Sequence, residues 1–512
     1  MLHWLRTRES EHPLEKKDDA VRLLEQLSDK GPFAALEEMA SYLDEVKTAE
    51  SLRAARALEI VELLDRSARP IVRKLTSEYL TSHQHLTRYQ QHRVWFTCHT
   101  LLGQLAEGYQ TCLARYQAGA VGAAALKSAL PKMAGRALRA YGGKIKWTLL
   151  YYGEVDPDVW LQMVRLFTMG EALGYNDSIA SMYRGERRES SPLREFVRPM
   201  MLFMSAPHSL PPMQIEIVDR IAAAWSDAFV ISPEGRSGLH YAIERGKSEP
   251  PVRVAYRNGH STQTLFFGPG DAIARASRCA TLLQRSGQVP EDLNLGIDVN
   301  PQVLLNTLEH LQRYWWPMQP KRSQPRVQVS DTLRIVHDYD EVSANAGALF
   351  LDSPFVSNDE SWTLDDESAS GCGLIVPKGR GEWLRVGSLV AVRPEKGTTW
   401  RAGIVRRIVG RRHGERYVGV QYIGEGGCAV TLFPLETGKR SALTSEGELC
   451  VLLAGAVKNP EEATLLLRPG VFNLKDSIDM RAYDRRWLLE PVRIMESGED
   501  YEVCVYRMRS GD

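Results

Sequence analysis

The sequence predicts a multidomain α+β protein with helices first and strands last. Through residues 13–130, apolar side chains recur at intervals of three and four and proline is rare, which is the helical period. Beyond residue 326 the chain turns into short β-type runs separated by Gly, Asn or Pro, the pattern of barrels or sandwiches. Its 512 residues exceed one ordinary domain and suit about three or four.

Taken in order, AVRLLEQL (20–27) and LRAARALEIVELLDR (52–66) are amphipathic helices. From 131 to 210 the helical pattern loosens, with breaks at Gly142–Gly143, Pro157 and Pro192. Residues 1–210 therefore read as an all-helical region, a bundle or stacked helix pairs, without a fixed-length repeat. The punctuated segment SAPHSLPPM (205–213) leads into a small α+β module over 211–318. There VRVAY (252–256) and TQTLFF (262–267) flank Asn258–Gly259, a hairpin signal because both residues tolerate positive φ. A helix from Asp271, a candidate cap, to about Arg285 ahead of Gly287 follows, then another over roughly 301–314. The remainder is all-β and too long for one small barrel, so it divides into units at 319–433 and 434–512, with a break near 434–446. The acidic, small-residue stretch 337–361 reads as a long insertion or loop.

Composition narrows the function. Hydrophobic residues are 43% and charged residues 25%, excluding a largely disordered, collagen-like or membrane-dominated chain. Lys+Arg and Asp+Glu are 64 each, so no global field favours nucleic acid or an anionic membrane. Seven cysteines without a C-x-x-C pair form neither a disulfide framework nor a zinc ribbon. The N-terminal twenty residues lack the apolar core of a signal peptide, and no run nears the ~18 apolar residues of a membrane span. A cytoplasmic location without a membrane span is expected.

Two short motifs frame the start of the β region. Arg322-Ser-Gln-Pro-Arg326 is an R-x-x-x-R preceded by Lys321, and Asp366-Glu-Ser368-Ala-Ser-Gly371 is a D-x-S-x-x-G. Pro325 stiffens the first segment. Its two guanidinium forks match phosphate oxygens and the O6/N7 edge of guanine. The second motif offers a carboxylate acceptor for guanine N–H donors, a hydroxyl, and a glycine that allows close approach.

In this order, with LRVGSLVAVRPE, WRAGIVRRIVG and RYVGVQYIG behind them, the motifs resemble the PilZ domain, a bacterial receptor module for cyclic di-GMP. The resemblance covers roughly 318–433. It implies a six-stranded antiparallel barrel there; the remaining β unit at 434–512 is read from its length as a second barrel or an extension of the first. The resemblance also implies a ligand held by Arg322 and Arg326 on phosphate and guanine edges, against a surface lined by Asp366, Ser368 and Gly371. The motifs stand further apart than is usual in the family, and the 337–361 insertion accounts for the difference.

Other signals read as structure. Arg401, Arg406, Arg407, Arg411, Arg412 and Arg416 crowd one β segment; a hairpin face explains them better than a nucleic-acid patch. His85, His92 and His99 repeat every seven residues, about 10.5 Å of helical rise and too far for one metal ion to bridge. Gly235-Arg-Ser237-Gly238 lacks the last glycine of a nucleophile elbow, since Leu239 stands there. Gly268-Pro-Gly270-Asp271 lacks a phosphate-loop lysine, and Trp315–Trp316 reads as a packed junction. With no catalytic constellation, metal or cofactor implied, the chain is expected to be a non-enzymatic cyclic di-GMP receptor. Ligand capture would change its domain arrangement, and the helical region would dock a protein partner or a second copy. The alternative is a PilZ-like scaffold for motility or pilus machinery that binds no ligand.

Overall fold

The computed structural model describes residues 12–510 except 50–51, 82–85, 187, 255–258, 291–292, 294, 319–323, 347–358, 412–413, 436–442, 444–446, 457–458, 460 and 483–484. The chain divides into two compact units, residues 1–207 with 212–320 and residues 208–211 with 321–512.

The first unit opens with Lys17–Asp29 (α1), Pro32–Thr48 (α2), Ala54–Thr81 (α3), Arg88–Gln117 (α4), Leu130–Leu150 (α5), Pro157–Ala172 (α6), Pro192–Met204 (α7) and Pro212–Ala224 (α8). Proline sits in the first turn of α2, α5, α6 and α7, where its missing N–H costs no helical bond. Thr87 and Gln90 form a reciprocal capping box at the start of α4. Trp147, Trp160, Tyr109 and Phe196 are fully buried among these helices.

Next come Val230–Ser232 (β1), Glu234–Gly235 (β2), Tyr241–Glu244 (β3), Val252–Arg253 (β4), Gly259–His260 (β5) and Thr264–Gly268 (β6), then Ala272–Ser286 (α9) and Pro301–Trp315 (α10). The last two helices lie where the sequence places them. Gly287 ends α9 at φ 67°, its N–H bonded to the Leu283 carbonyl. Asn300 caps α10. Asp271 begins α9 without a side-chain capping bond. The expected 252–267 hairpin does not form: the sheet order is β1-β6-β3-β4. β3 separates the two runs, and β5 pairs instead with β2. Asn258 itself lies outside the described residues.

The second unit contains two closed six-stranded antiparallel barrels. The first comprises Val327–His337 (β7), Glu360–Ser368 (β8), Gly371–Val376 (β9), Leu389–Pro394 (β10), Arg401–Gly410 (β11) and Arg416–Tyr422 (β12). The second comprises Gly426–Pro434 (β13), Glu448–Ala454 (β14), Glu462–Leu467 (β15), Ile478–Ala482 (β16), Arg485–Ser497 (β17) and Glu502–Ser510 (β18). Their winding is identical: each pairs first–second–third–sixth–fifth–fourth and closes fourth to first. The first strand of the second barrel starts at Gly426, so the interval 434–446 lies between β13 and β14.

The stretch 337–361 is not all loop. Tyr339–Ala346 forms a helix (α11), whose Tyr339, Val342 and Ala346 are buried with Leu389 and Ile404 of the first barrel and Val451, Leu466 and Val503 of the second. These three apolar positions, spaced three and four apart, give one helical face. Residues 347–358 lie outside the described part.

Candidate functional site

Strand pairing removes the 40-residue gap between the motifs. In the β7–β8 ladder Val327 opposes Glu367 and Gln328 opposes Asp366, so Arg326 enters the barrel beside the D-x-S-x-x-G turn. Ser368 and Gly371 face each other across the two-residue β8–β9 turn, and the Ser368 hydroxyl donates to the Gly371 carbonyl at 3.1 Å. Arg322 lies outside the described residues.

A β-bulge aims Asp366. Trp362 and Leu364 are buried on alternate positions of β8, and strict alternation would turn Asp366 inward with them. The β8–β9 register shifts between Leu364 and Asp366, so that Asp366 opposes Gly373. Cys372, Leu374, Val418 and Val420 are the buried inward set of β9 and β12. Asp366, Gly373 and Tyr417 therefore share the outer face.

On that face Arg326 is held at one end of its fork. Its NH1 donates to Asp366 Oδ1 and, at 2.8 Å, to the Tyr417 hydroxyl. Tyr417 in turn donates to Asp366 Oδ2 at 3.1 Å. Asp366 is only 6% exposed, and both its oxygens are engaged. Nε–H and the NH2 group of Arg326 have no partner among the described residues, which leaves a two-donor edge able to grip a phosphate or a guanine edge bidentately. Burial alone would lower the Arg326 pKa, but Tyr417 and Asp366 raise it. The Tyr417 pKa is also raised, chiefly by burial.

The floor beside this triad is bare backbone. Across the sheet Asp366 opposes Gly373, Gly373 opposes Gly419 and Gly419 opposes Arg407. A Cβ on Gly373 would meet the Tyr417 hydroxyl and stand 2.6 Å from Asp366 Oδ1. Gly371 has a different reason to be glycine: its Cβ would collide with the Val420 carbonyl of the adjacent strand. Close backbone packing thus requires Gly371. Tyr417, Gly373 and Gly419 escaped the sequence reading; the G-C-G of β9 and the Y-V-G of β12, which place them two apart on one face, were the available signal.

The other candidates resolve into structure. Arg401 pairs with Glu367 (3.7 Å), Arg406 with Glu496 of β17 and Arg411 with Asp365 (3.6 Å); Arg416 donates to the Gly381 carbonyl at 2.8 Å. His99 and Tyr151 stack on Trp95, and burial, aided by Lys144, lowers the His99 pKa to about 4. His85 lies outside the described residues, among which no group of His, Cys, Asp or Glu is placed to hold a metal. Trp315 is buried edge-on to Phe229, while Trp316 is exposed. Gly270, at φ +50°, packs so close to the Ala228 carbonyl that no Cβ fits. No helix among the described residues is long and apolar enough to cross a membrane.

Residues 18–234 match the family model for the N-terminal domain of the cyclic-di-GMP receptor FimW. No curated protein matches the chain. The match falls on the helices and the start of the small sheet, away from the barrel motifs.

Proposed function

We propose that this chain is a cyclic di-GMP receptor whose first barrel is the PilZ-type ligand-binding domain. The free Nε/NH2 edge of Arg326, fixed by Asp366 and Tyr417, carries the reading. It takes a phosphate or the O6/N7 edge of a guanine. Arg322, on the same entrance segment, takes a second such group. Ser368 contributes its hydroxyl, and Gly371 holds the turn against β12. Asp366 positions the guanidinium; its carboxylate is too fully engaged to serve as a primary ligand contact.

Capture ties the Arg322–Arg326 motif at the barrel entrance to the ligand. This biases the arrangement of the parts it joins, or the affinity of the helical region for a protein partner or a second copy. No bond is made or broken in such a step, and the setting is the cytoplasm. The engagement of Arg326 by Asp366 favours one rival, a PilZ-like scaffold in which an internal carboxylate has replaced the ligand.

Calorimetric titration of cyclic di-GMP into the full chain separates the two. Saturable binding by the wild type, lost in Arg322→Ala and Arg326→Ala and weakened in Asp366→Ala, supports the receptor. Absence of both heat and thermal stabilisation at saturating ligand removes it and leaves the scaffold.

A further inference from the structure

The helical unit contains a cleft of about 810 Å3, walled by α3, α5, α7 and α8 and by residues 295–296. Its walls are ionic. Arg139 of α5 donates to both oxygens of Glu195 (3.0 and 2.6 Å) and both of Glu186 (2.8 and 3.0 Å). Arg198 of α7 bonds both oxygens of Asp219 at 2.8 Å. Lys146 reaches Glu216 at 2.8 Å and Asp219 at 3.3 Å. Arg220 bonds the other Glu216 oxygen at 2.7 Å. Glu195, Glu216 and Asp219 are buried. Apolar side chains of similar volume usually stabilise a fold at least as well as buried ion pairs, so stability does not account for this investment. Clustered buried charge in an open cleft points to a ligand site.

The hydrogen-bonding capacity left in the cleft lies mainly with donors; among the lining carboxylates only Glu189, which is exposed, has no side-chain partner among the described residues. Both oxygens of Glu186, Glu195, Glu216 and Asp219 already accept. Spare capacity lies with donors on α3 and α7. Arg73 lines the cleft, is exposed, and makes no hydrogen bond or ion pair among the described residues. Arg69 spends NH2 on Glu186 (2.9 Å) and lies 3.5 Å over the Tyr183 ring. NH1 of Arg198 is 3.9 Å from Glu195. An occupant must therefore be rich in acceptors and anionic. Phosphate oxygens suit guanidinium donors, while Val72 and Leu102 in the wall, both half-buried, offer apolar surface to an organic moiety. The volume lies within the ordinary range for small-molecule pockets.

We propose that this cleft binds a phosphorylated small molecule of nucleotide size, with Arg69 and Arg73 taking the phosphate. The site uses none of the barrel motif residues and stands whether or not the barrel binds a ligand.

The test uses the full chain carrying Arg326→Ala, which disables the barrel site, with inorganic pyrophosphate and ADP as probes followed by calorimetry. Saturable binding of either probe is expected. Arg73→Glu and the milder Arg73→Gln should weaken it about tenfold or more, the equivalent of one charge-assisted hydrogen bond. Lys74→Glu makes the same charge change at an exposed neighbour outside the cleft and should leave affinity within about twofold. Circular dichroism establishes that each variant is folded. No saturable binding at millimolar probe, or equal losses in the Arg73 and Lys74 variants, overturns the proposal.

Discussion

Replacing Gly373 by alanine tests how the barrel site is built. The new Cβ would stand 2.6 Å from Asp366 Oδ1 and closer still to the Tyr417 hydroxyl. Both are ends of side chains, so the barrel can keep its strands while the triad opens. Arg326 then loses the partners that orient it. Hydrogen bonds to charged groups contribute about 1.5–3 kcal/mol each. Loss of one such constraint corresponds to at least about a tenfold fall in cyclic di-GMP affinity, since 1.4 kcal/mol is tenfold. Gly371→Ala is the counterpart. Its Cβ meets the Val420 carbonyl and lies 3.2 Å from the Gln421 Cα, neither of which can rotate away, so it should lower the urea midpoint of the barrel directly. Calorimetry and urea denaturation on both variants separate the effects. Wild-type affinity in Gly373→Ala, with an unchanged urea midpoint, would show that the Asp366–Tyr417 anchor does not position Arg326.

Three other outcomes are expected. The His310 ring Nε2–H donates to the Ser205 carbonyl at 2.6 Å, and burial, reinforced by Arg313, lowers its pKa to about 4. The unfolded chain binds its proton below about pH 6.5 while the folded chain resists, so this contribution is intact above that pH. It is lost toward pH 4, at no more than about 1.4 kcal/mol per pH unit; urea midpoints should fall less steeply with acid in His310→Gln, and parallel slopes would refute the assignment. Val342→Asp places a charge in the core shared by both barrels, an uncompensated burial costing several kcal/mol; hydrogen exchange should show lost protection in strands of both, whereas loss in one alone would deny α11 its bridging role. Polynucleotide should bind weakly and without a steep salt slope, because Arg401, Arg406 and Arg411 are already paired; a steep slope in a salt titration would reinstate the Arg-rich hairpin as a contact surface.

What the sequence disclosed depended on how local each cause was. Gly287 and Asn300 act within one turn of their helices, and α9 and α10 were legible almost to the residue. The Asn258–Gly259 turn signal was equally local, but the partner it implied was not. β3, earlier in the chain, takes the place between β4 and β6, and a dipeptide carries no information about that competition. Helix α11 was hidden by composition. Its acidic residues suggested a loop, yet three apolar positions sufficed once two barrels supplied surfaces to cover them. In the site, Arg326 and Asp366 were recognisable from their motifs. Tyr417, 51 positions beyond Asp366, becomes its neighbour only through the β8–β9–β12 ladder, and the bulge at Asp365 leaves no signature in the residue pattern.

The second barrel isolates what the site requires beyond the fold. It repeats the winding of the first strand for strand, and its core is built the same way, from Val430, Leu432, Cys450, Leu465 and Leu489 facing inward. Alternating apolar residues and correct closure therefore suffice for the architecture. At the place where Arg326 precedes β7, Glu425 precedes β13. Where β8 ends in Asp366-Glu-Ser368, β14 ends in Leu452-Leu453-Ala454. Gly427 is glycine because Val451 and the α11 carbonyl of Ala346 leave no room for a Cβ, so there the small residue serves packing within the unit. One winding thus supports a polar, glycine-floored outer face in one copy and a structural wall in the other. The ligand chemistry proposed for this chain rests on a bulge, two outer-face glycines and an anchored arginine, none of which barrel closure demands.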